Sequence, residues 1–251
     1  MTEKENSQNK IIIVGGGMNG LTLSLLLAQS GFDIICIDAA SKAREDDERT
    51  TAISHGSSLI LTSAGIWDEV KAHACPINDI KILDGKSPSL LNFGINDFCN
   101  SNTYEAFGWI VENKLLFNIL NARCANTKNI NHIQNQFVSN VEYLDTKAVV
   151  TLKDGSSYEA ALIIGADGRQ SFTRKTANIP TKKWQYDQKA IVCTATHENS
   201  HNNIAIEHFR SEGPFAILPM LDRPDGTHQS AVVWTLHKNQ SIDAVKNNVV
   251  L

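Results

Sequence analysis

A buried strand running into a glycine turn, a carboxylate about 20 residues later and a late series of short β-type segments together predict an α/β protein. The expected architecture is a Rossmann-like nucleotide-binding domain with a mostly antiparallel sheet appended to it. The first observation is Lys-Ile-Ile-Ile-Val, residues 10–14, running into Gly15-Gly16-Gly17-Met18-Asn19-Gly20. An apolar helical stretch, a stop at Gly31 and Phe-Asp-Ile-Ile-Cys-Ile-Asp38 follow. In such a strand–turn–helix–strand unit Gly15 permits the tight turn and Gly17 lets the backbone approach a pyrophosphate. Gly20 lets the helix pack closely on the strand. Met18 and Asn19 open the helix, whose free N–H groups and positive dipole end suit phosphates. Asp38 stands where a carboxylate accepts hydrogen bonds from a ribose. A glycine-rich turn in an ordinary α/β protein is the competing reading, and the flanking strand, helix and terminal acid favour dinucleotide binding.

The chain of 251 residues is 42 % hydrophobic and 20 % charged, the composition of a soluble globular protein. A net charge of −4 gives no basic footprint for nucleic acid, which is not expected as a partner. No window reaches the roughly 18 unbroken apolar residues of a membrane helix. The polar opening decapeptide lacks the apolar core of a signal peptide. Cys36, Cys75, Cys99, Cys124 and Cys193 are scattered without a Cys-x-x-Cys pair, which suits a reducing cytoplasm.

After Asp38 the charged stretch to Arg49 reads as a solvated loop. A helix is expected over about Ser57–Ala64, closed by Gly65. Residues 77–107 read as a β-hairpin excursion, and helical spacing returns from Glu112 to Ala125. Two strands flank the Asp154-Gly155 turn. The second, Ala-Ala-Leu-Ile-Ile, leads into Gly165-Ala166-Asp167-Gly168-Arg169, with Ser171 as N-cap of a short helix. From Lys189 onward short β-type runs alternate with Gly, Pro, Asn and Asp. The boundary is expected near Pro180, giving a nucleotide-binding domain over 1–180 and a partial substrate domain over 181–251, whose sheet the 77–107 excursion joins. His197-Glu198-Asn199-Ser200-His201 formally matches the zinc-protease pattern H-E-x-x-H. Asn and Ser within it favour a turn over a helix interior, so no metal is expected there.

Several segments, in order, resemble the class A flavin-dependent aromatic hydroxylases, and within them the ubiquinone-biosynthesis branch. They are the glycine fingerprint, Arg49-Thr-Thr-Ala-Ile-Ser, Ala-Gly-Ile-Trp, Val-Glu-Asn113-Lys-Leu-Leu, Ala-Asp167-Gly168 and Gly213-Pro-Phe-Ala-Ile-Leu-Pro-Met. The resemblance implies a glutathione-reductase-type FAD/NAD(P)-binding domain. FAD would lie on Gly15, Gly17, Met18, Asn19 and Gly20, with Asp38 on the adenosine ribose. It places Arg49 at the pyrophosphate or ribityl chain, Asn113 as a further polar contact, and Asp167-Gly168 at FAD and the approaching NAD(P)H. A surface arginine and a plain strand-to-helix turn are the alternative readings of Arg49 and Asp167-Gly168. The implied activity is hydroxylation of a phenolic ring, prenylated in this branch, with NAD(P)H as reductant and O₂ carried as a flavin C4a-hydroperoxide. No acid–base residue is assigned as catalytic. Another aromatic substrate, or a non-catalytic FAD-binding fragment needing a complementary C-terminal polypeptide, are the alternatives. The family's later Gly-Asp motif has no counterpart, since no Gly-Asp dipeptide occurs in the sequence. An N-terminal portion of a hydroxylase is therefore expected, cytoplasmic or peripheral to the inner membrane.

Overall fold

A computed structural model describes residues 9–40, 47–87, 90–98 and 104–239. Strand β1 (Lys10–Val14), helix α1 (Met18–Gln29) and β2 (Asp33–Ile37) come first, then β3 (Thr50–Ser54), α2 (His55–Ser63) and α3 (Trp67–Lys71). Next are β4 (Cys75–Ile77), β5 (Asp79–Asp84), β6 (Leu90–Gly94), α4 (Ile95–Phe98), β7 (Gly108–Glu112) and α5 (Asn113–Ala125). Then come β8 (Ile130–Ile133), β9 (Val138–Tyr143), β10 (Ala148–Leu152), β11 (Ser157–Ala160), β12 (Leu162–Gly165) and α6 (Phe172–Thr176). The last strands are β13 (Gln188–His197), β14 (Ile204–Arg210), β15 (Gly213–Pro219) and β16 (His228–His237). These elements form two compact units with interleaved segments. The first comprises Met1–Asp46, Ile60–Trp67 and Lys114–Lys182; the second comprises Asp47–Leu59, Asp68–Asn113 and Lys183–Leu251.

The first unit is built on a parallel sheet of order β12-β1-β2-β8. A parallel sheet is covered on both faces, so its strands read as continuous apolar runs, and β1 and β2 bury nearly every residue. One face packs Ile12, Val14, Ile35 and Ile37 against Val141, Val150, Leu152 and Ala160 of a second sheet, order β11-β10-β9. Cys36 alternates with those isoleucines and meets Ser24 of α1 on the opposite face. There Leu21 and Leu25 are buried, and Cys124 of α5 donates to Leu21 O at 3.5 Å. Burial pushes the Cys36 and Cys124 thiols up to about 12.

The stretch Ala-Ala-Leu-Ile-Ile is two strands, not one. Ala160 pairs with Ala148 in the hairpin, whereas Leu162 pairs with Ile11 in the parallel sheet. Between them Ala161 N–H donates to Lys10 O at 3.1 Å, so the chain changes sheets across a single residue.

The second unit holds an antiparallel sheet of order β3-β7-β4 and a six-stranded sheet of order β13-β16-β15-β14-β5-β6. The six-stranded sheet is antiparallel except where β14 runs parallel to β5. Strands β5 and β6 of the 77–107 excursion therefore lie in one sheet with β13–β16. Ile77, Ile110, Ala205, Met220 and Ala231 form a buried cluster in this unit. Cys75, also buried, has its thiol pushed up to about 11 by desolvation and the Asp222 charge. Cys99 lies outside the described residues. Helix α2 begins two residues earlier than its expected start at Ser57, and Gly65 follows it at φ +73°, the left-handed conformation that ends a helix. No described helix is long and apolar enough to cross a membrane.

Candidate functional site

The glycine turn is fixed by backbone crowding. Gly15 adopts φ +110° and donates its N–H to Ile37 O at 2.7 Å. A Cβ there would stand 2.3 Å from Ala166 O, and one on Gly20 would stand 1.8 Å from Gly15 O. Gly17 is the N-cap of α1, and no side chain caps that helix. Its first N–H groups therefore keep their capacity for an anion. Met18 is half-buried and Asn19 exposed in the first turn.

Asp38 follows the last residue of β2 and is 8 % exposed. Its N–H donates to Ile133 O at 2.8 Å, and its Oδ1 accepts from Ala40 N–H at 3.1 Å. Ala166 N–H donates to Val14 O at 2.7 Å, which sets the Asp167-Gly168 turn beside Gly15. The Asp167 carboxylate accepts from Thr173 N–H at 2.9 Å and Thr173 Oγ1 at 2.8 Å. Burial pushes Asp167 up, but hydrogen bonds from Ser171 and Thr173 outweigh it and hold the group below its ordinary value. Ser171 caps α6 by accepting from Arg174 N–H at 2.9 Å.

Gly15, Gly17, Asp38, Asp167 and Gly168 line one cleft of about 420 Å³. Phe137, Gln170 and Phe172 also line it and were not singled out by the sequence. Gly16 and His132 were missed as well, and both crowd Asp38: a Cβ on Gly16 would meet the Asp38 side chain at 2.7 Å and His132 Nε2 at 2.8 Å.

Arg49 and Asn113 belong to the second unit, where a residue absent from the sequence reading joins them. Asp47 accepts from Arg49 Nε at 2.7 Å and Nη2 at 2.8 Å, and from Asn113 Nδ2 at 3.4 Å. These contacts, led by the hydrogen bond from Arg49, bring the Asp47 carboxyl down to about 2. Asn113 also accepts from Thr51 Oγ1 at 2.5 Å, and its N–H donates to Arg49 O at 2.9 Å. An acid two residues before a motif arginine was the available signal, hidden in a charged loop.

The H-E-x-x-H segment is not helical: His197 ends β13 and His201 lies in the turn before β14. His197 donates from Nδ1 to Asn199 O at 2.7 Å and bonds Ser230 Oγ through Nε2 at 2.9 Å. His201 donates to Met220 O at 2.8 Å and accepts from Asn203 N–H at 3.0 Å. Among the described residues no group of three or more His, Cys, Asp or Glu is arranged to hold a metal ion.

Residues 8–250 match the FAD binding domain family. A ubiquinone hydroxylase from Rhodospirillum rubrum is 35 % identical over 229 residues, covering 90 % of this chain and 51 % of the relative. The 3-demethoxyubiquinol 3-hydroxylase of Escherichia coli is 31 % identical over 236 residues, covering 91 % of this chain and 58 % of its own length. The crystal structure of p-nitrophenol 4-monooxygenase from Pseudomonas putida shares the fold, with a TM-score of 0.79 at 14 % identity over 95 % of this chain and 61 % of that one. The chain thus spans about half the length of the curated relatives it matches. With a family match that runs through both units, the chain belongs to the FAD binding domain family.

Proposed function

We propose that this chain is the FAD-holding part of a monooxygenase that hydroxylates a prenylated phenolic ring in ubiquinone biosynthesis, a ring of the 2-octaprenyl-6-methoxyphenol kind. The observation that carries the reading is the single cleft lined by Gly15, Gly17, Asp38, Asp167 and Gly168 within a family-matched sequence. The names of the R. rubrum and E. coli relatives supply the reaction class.

The residues present suit the cofactor. The uncapped start of α1 is chemically matched to an anionic pyrophosphate, and the nearly buried Asp38 carboxylate to a ribose diol. Gly168, at φ +78° with no atom within 4 Å of its Cβ position, leaves backbone open to a ligand. Asp167 is held ionised by Thr173 and Ser171, so it orients the turn and does not serve as a proton donor. Arg49 would neutralise phosphate charge in exchange for Asp47, with Asn113 steadying that loop. FAD, reduced by NAD(P)H, supplies the oxygen-transfer chemistry when bound. The chain's own part is to bind, orient and exclude water. In this reading the first unit carries the nucleotide and the six-stranded sheet of the second carries the substrate. A bilayer-soluble prenyl chain would bring the protein to a membrane surface. The half-length coverage favours one further possibility, that coupled turnover needs a complementary C-terminal polypeptide.

The test is reconstitution. Protein incubated with FAD and desalted should retain flavin absorbance near about 450 nm, a property of the cofactor. NAD(P)H oxidation should give mainly hydrogen peroxide from the chain alone, and hydroxylated prenylphenol once the C-terminal half is supplied. Tight NAD binding without FAD retention would sink the flavoprotein reading.

A further inference from the structure

The glycine fingerprint treats the position of Gly16 as variable, yet here its missing side chain is a packing requirement. A Cβ on Gly16 would stand 2.7 Å from Asp38 Cβ, 2.8 Å from Asp38 Oδ2 and 2.8 Å from His132 Nε2. The carboxylate and the imidazole edge therefore converge on the same empty point. His132 lies on β8 directly opposite Cys36 of β2, on the sheet face that takes α1. Its Nε2 is buried and has no hydrogen-bond partner among the described residues. A buried polar nitrogen without a partner is costly, and its persistence calls for a reason. Burial holds the imidazole below its usual value against the opposing pull of Asp38. The residue after it, Ile133, accepts the Asp38 N–H, so the end of β8 fixes both groups. Asp38 lines the cleft, whereas Gly16 and His132 do not.

We propose that His132 is a positioning residue of the nucleotide site, setting with the Cβ-free Gly16 the orientation of the carboxylate that a ribose diol meets. The inference rests on Asp38 being the ribose acceptor, as read above. The imidazole edge, which makes no hydrogen bond to Asp38, bounds the carboxylate from behind by packing, while Ala40 N–H holds Oδ1 and the diol would donate from the cleft side. A carboxylate bonded by Ala40 and confined by the Gly16–His132 packing keeps one rotamer, and its affinity is not spent on ordering it.

Calorimetric titration of the full chain with ADP and with 2′,3′-dideoxy-ADP tests this. His132→Asn, whose amide does not reach the Nε2 position, should weaken ADP binding about tenfold. His132→Gln, whose amide does reach it, should stay within about threefold of the unmodified chain. Neither change should alter binding of 2′,3′-dideoxy-ADP, which offers Asp38 no hydroxyl. Gly16→Ala should also weaken ADP selectively, and its effect combined with His132→Asn should be less than additive. Wild-type ADP affinity in His132→Asn, or equal losses for the two nucleotides, overturns the proposal. Should His132→Asn fail to fold, Gly16→Ala decides alone: equal losses for both nucleotides overturn it. An unmodified chain that binds neither nucleotide, or both equally, removes the ribose reading of Asp38 and the proposal with it.

Discussion

Asp38 and Asp47 are both carboxylates with little exposure beside residues of the predicted cofactor site, and the fold commits them in opposite ways. Asp38 gives one oxygen to Ala40 N–H and lines the cleft. Asp47 gives both oxygens to Arg49 and shares one with Asn113. The first is ready to accept from a ligand, while the second already neutralises the cation that a phosphate would seek. A charged motif residue is thus an available ligand only after its internal partner has been counted.

The largest effect should come from the backbone that shapes the Asp38 side of this comparison. Gly20→Ala, which drives a Cβ into Gly15 O, should cost at least about 3 kcal/mol by denaturant unfolding and abolish ADP binding. Gly56→Ala at an exposed position of α2, with nothing within 4 Å, should shift stability by under about 1 kcal/mol, in the stabilising direction. Equal behaviour of the two variants would mean that the turn is not a rigid cradle.

Asp38→Ala should come next, lowering FAD affinity by about 1–3 kcal/mol in calorimetry with little change in melting temperature. Arg49→Ala should cost FAD affinity about 1 kcal/mol or less, and less in high salt, because its side chain is 66 % exposed and must leave Asp47. Asp47→Asn should leave FAD affinity unchanged or raised; a loss equal to that of Arg49→Ala would show that the pair works as one structural unit.

The smallest effect is a pH dependence. Asp47 is depressed to about 2 in the folded chain, below its ordinary 3.8. Its contribution is therefore full above the unfolded value and is lost as pH falls through about 2. Exposure of Arg49 limits that contribution to a few tenths of a kcal/mol. Unfolding curves at pH 7, 4 and 2.5 should show Asp47→Asn nearest the unmodified chain at the lowest pH. A constant gap across that range would assign the variant's effect to packing.

The parts legible in the sequence were those governed by local chemistry. β1, α1 and β2 were readable because a doubly covered parallel sheet demands unbroken apolar runs, and the hairpin at Asp154-Gly155 because its turn needs φ > 0. Strand β8, Ile-Asn-His-Ile, was unreadable: two polar residues in four carry no strand signal, and only pairing with β2 makes it a strand. The sheet change at Ala161 was hidden for a related reason, since one apolar run serves two sheets and only the partner backbones divide it. Within the site, Asp38 and the glycines were visible through spacing. Gly16, His132 and Asp47 act through contacts with residues distant in sequence or buried in a charged loop, and no local pattern announces them.

The buried thiols have a practical consequence for following this protein in time. Cys36 and Cys124, at about 12, sit in the first unit, and Cys75, at about 11, in the second. Alkylating reagents attack thiolates, so these positions stay dark to a pulse of iodoacetamide at neutral pH until their own unit opens. Mass-resolved labelling therefore runs two clocks in one chain. If Cys36 and Cys75 are modified at one common rate, the units unzip as a single cooperative body. If nucleotide slows Cys36 and leaves Cys75 ticking, the nucleotide guards only the half that grips it.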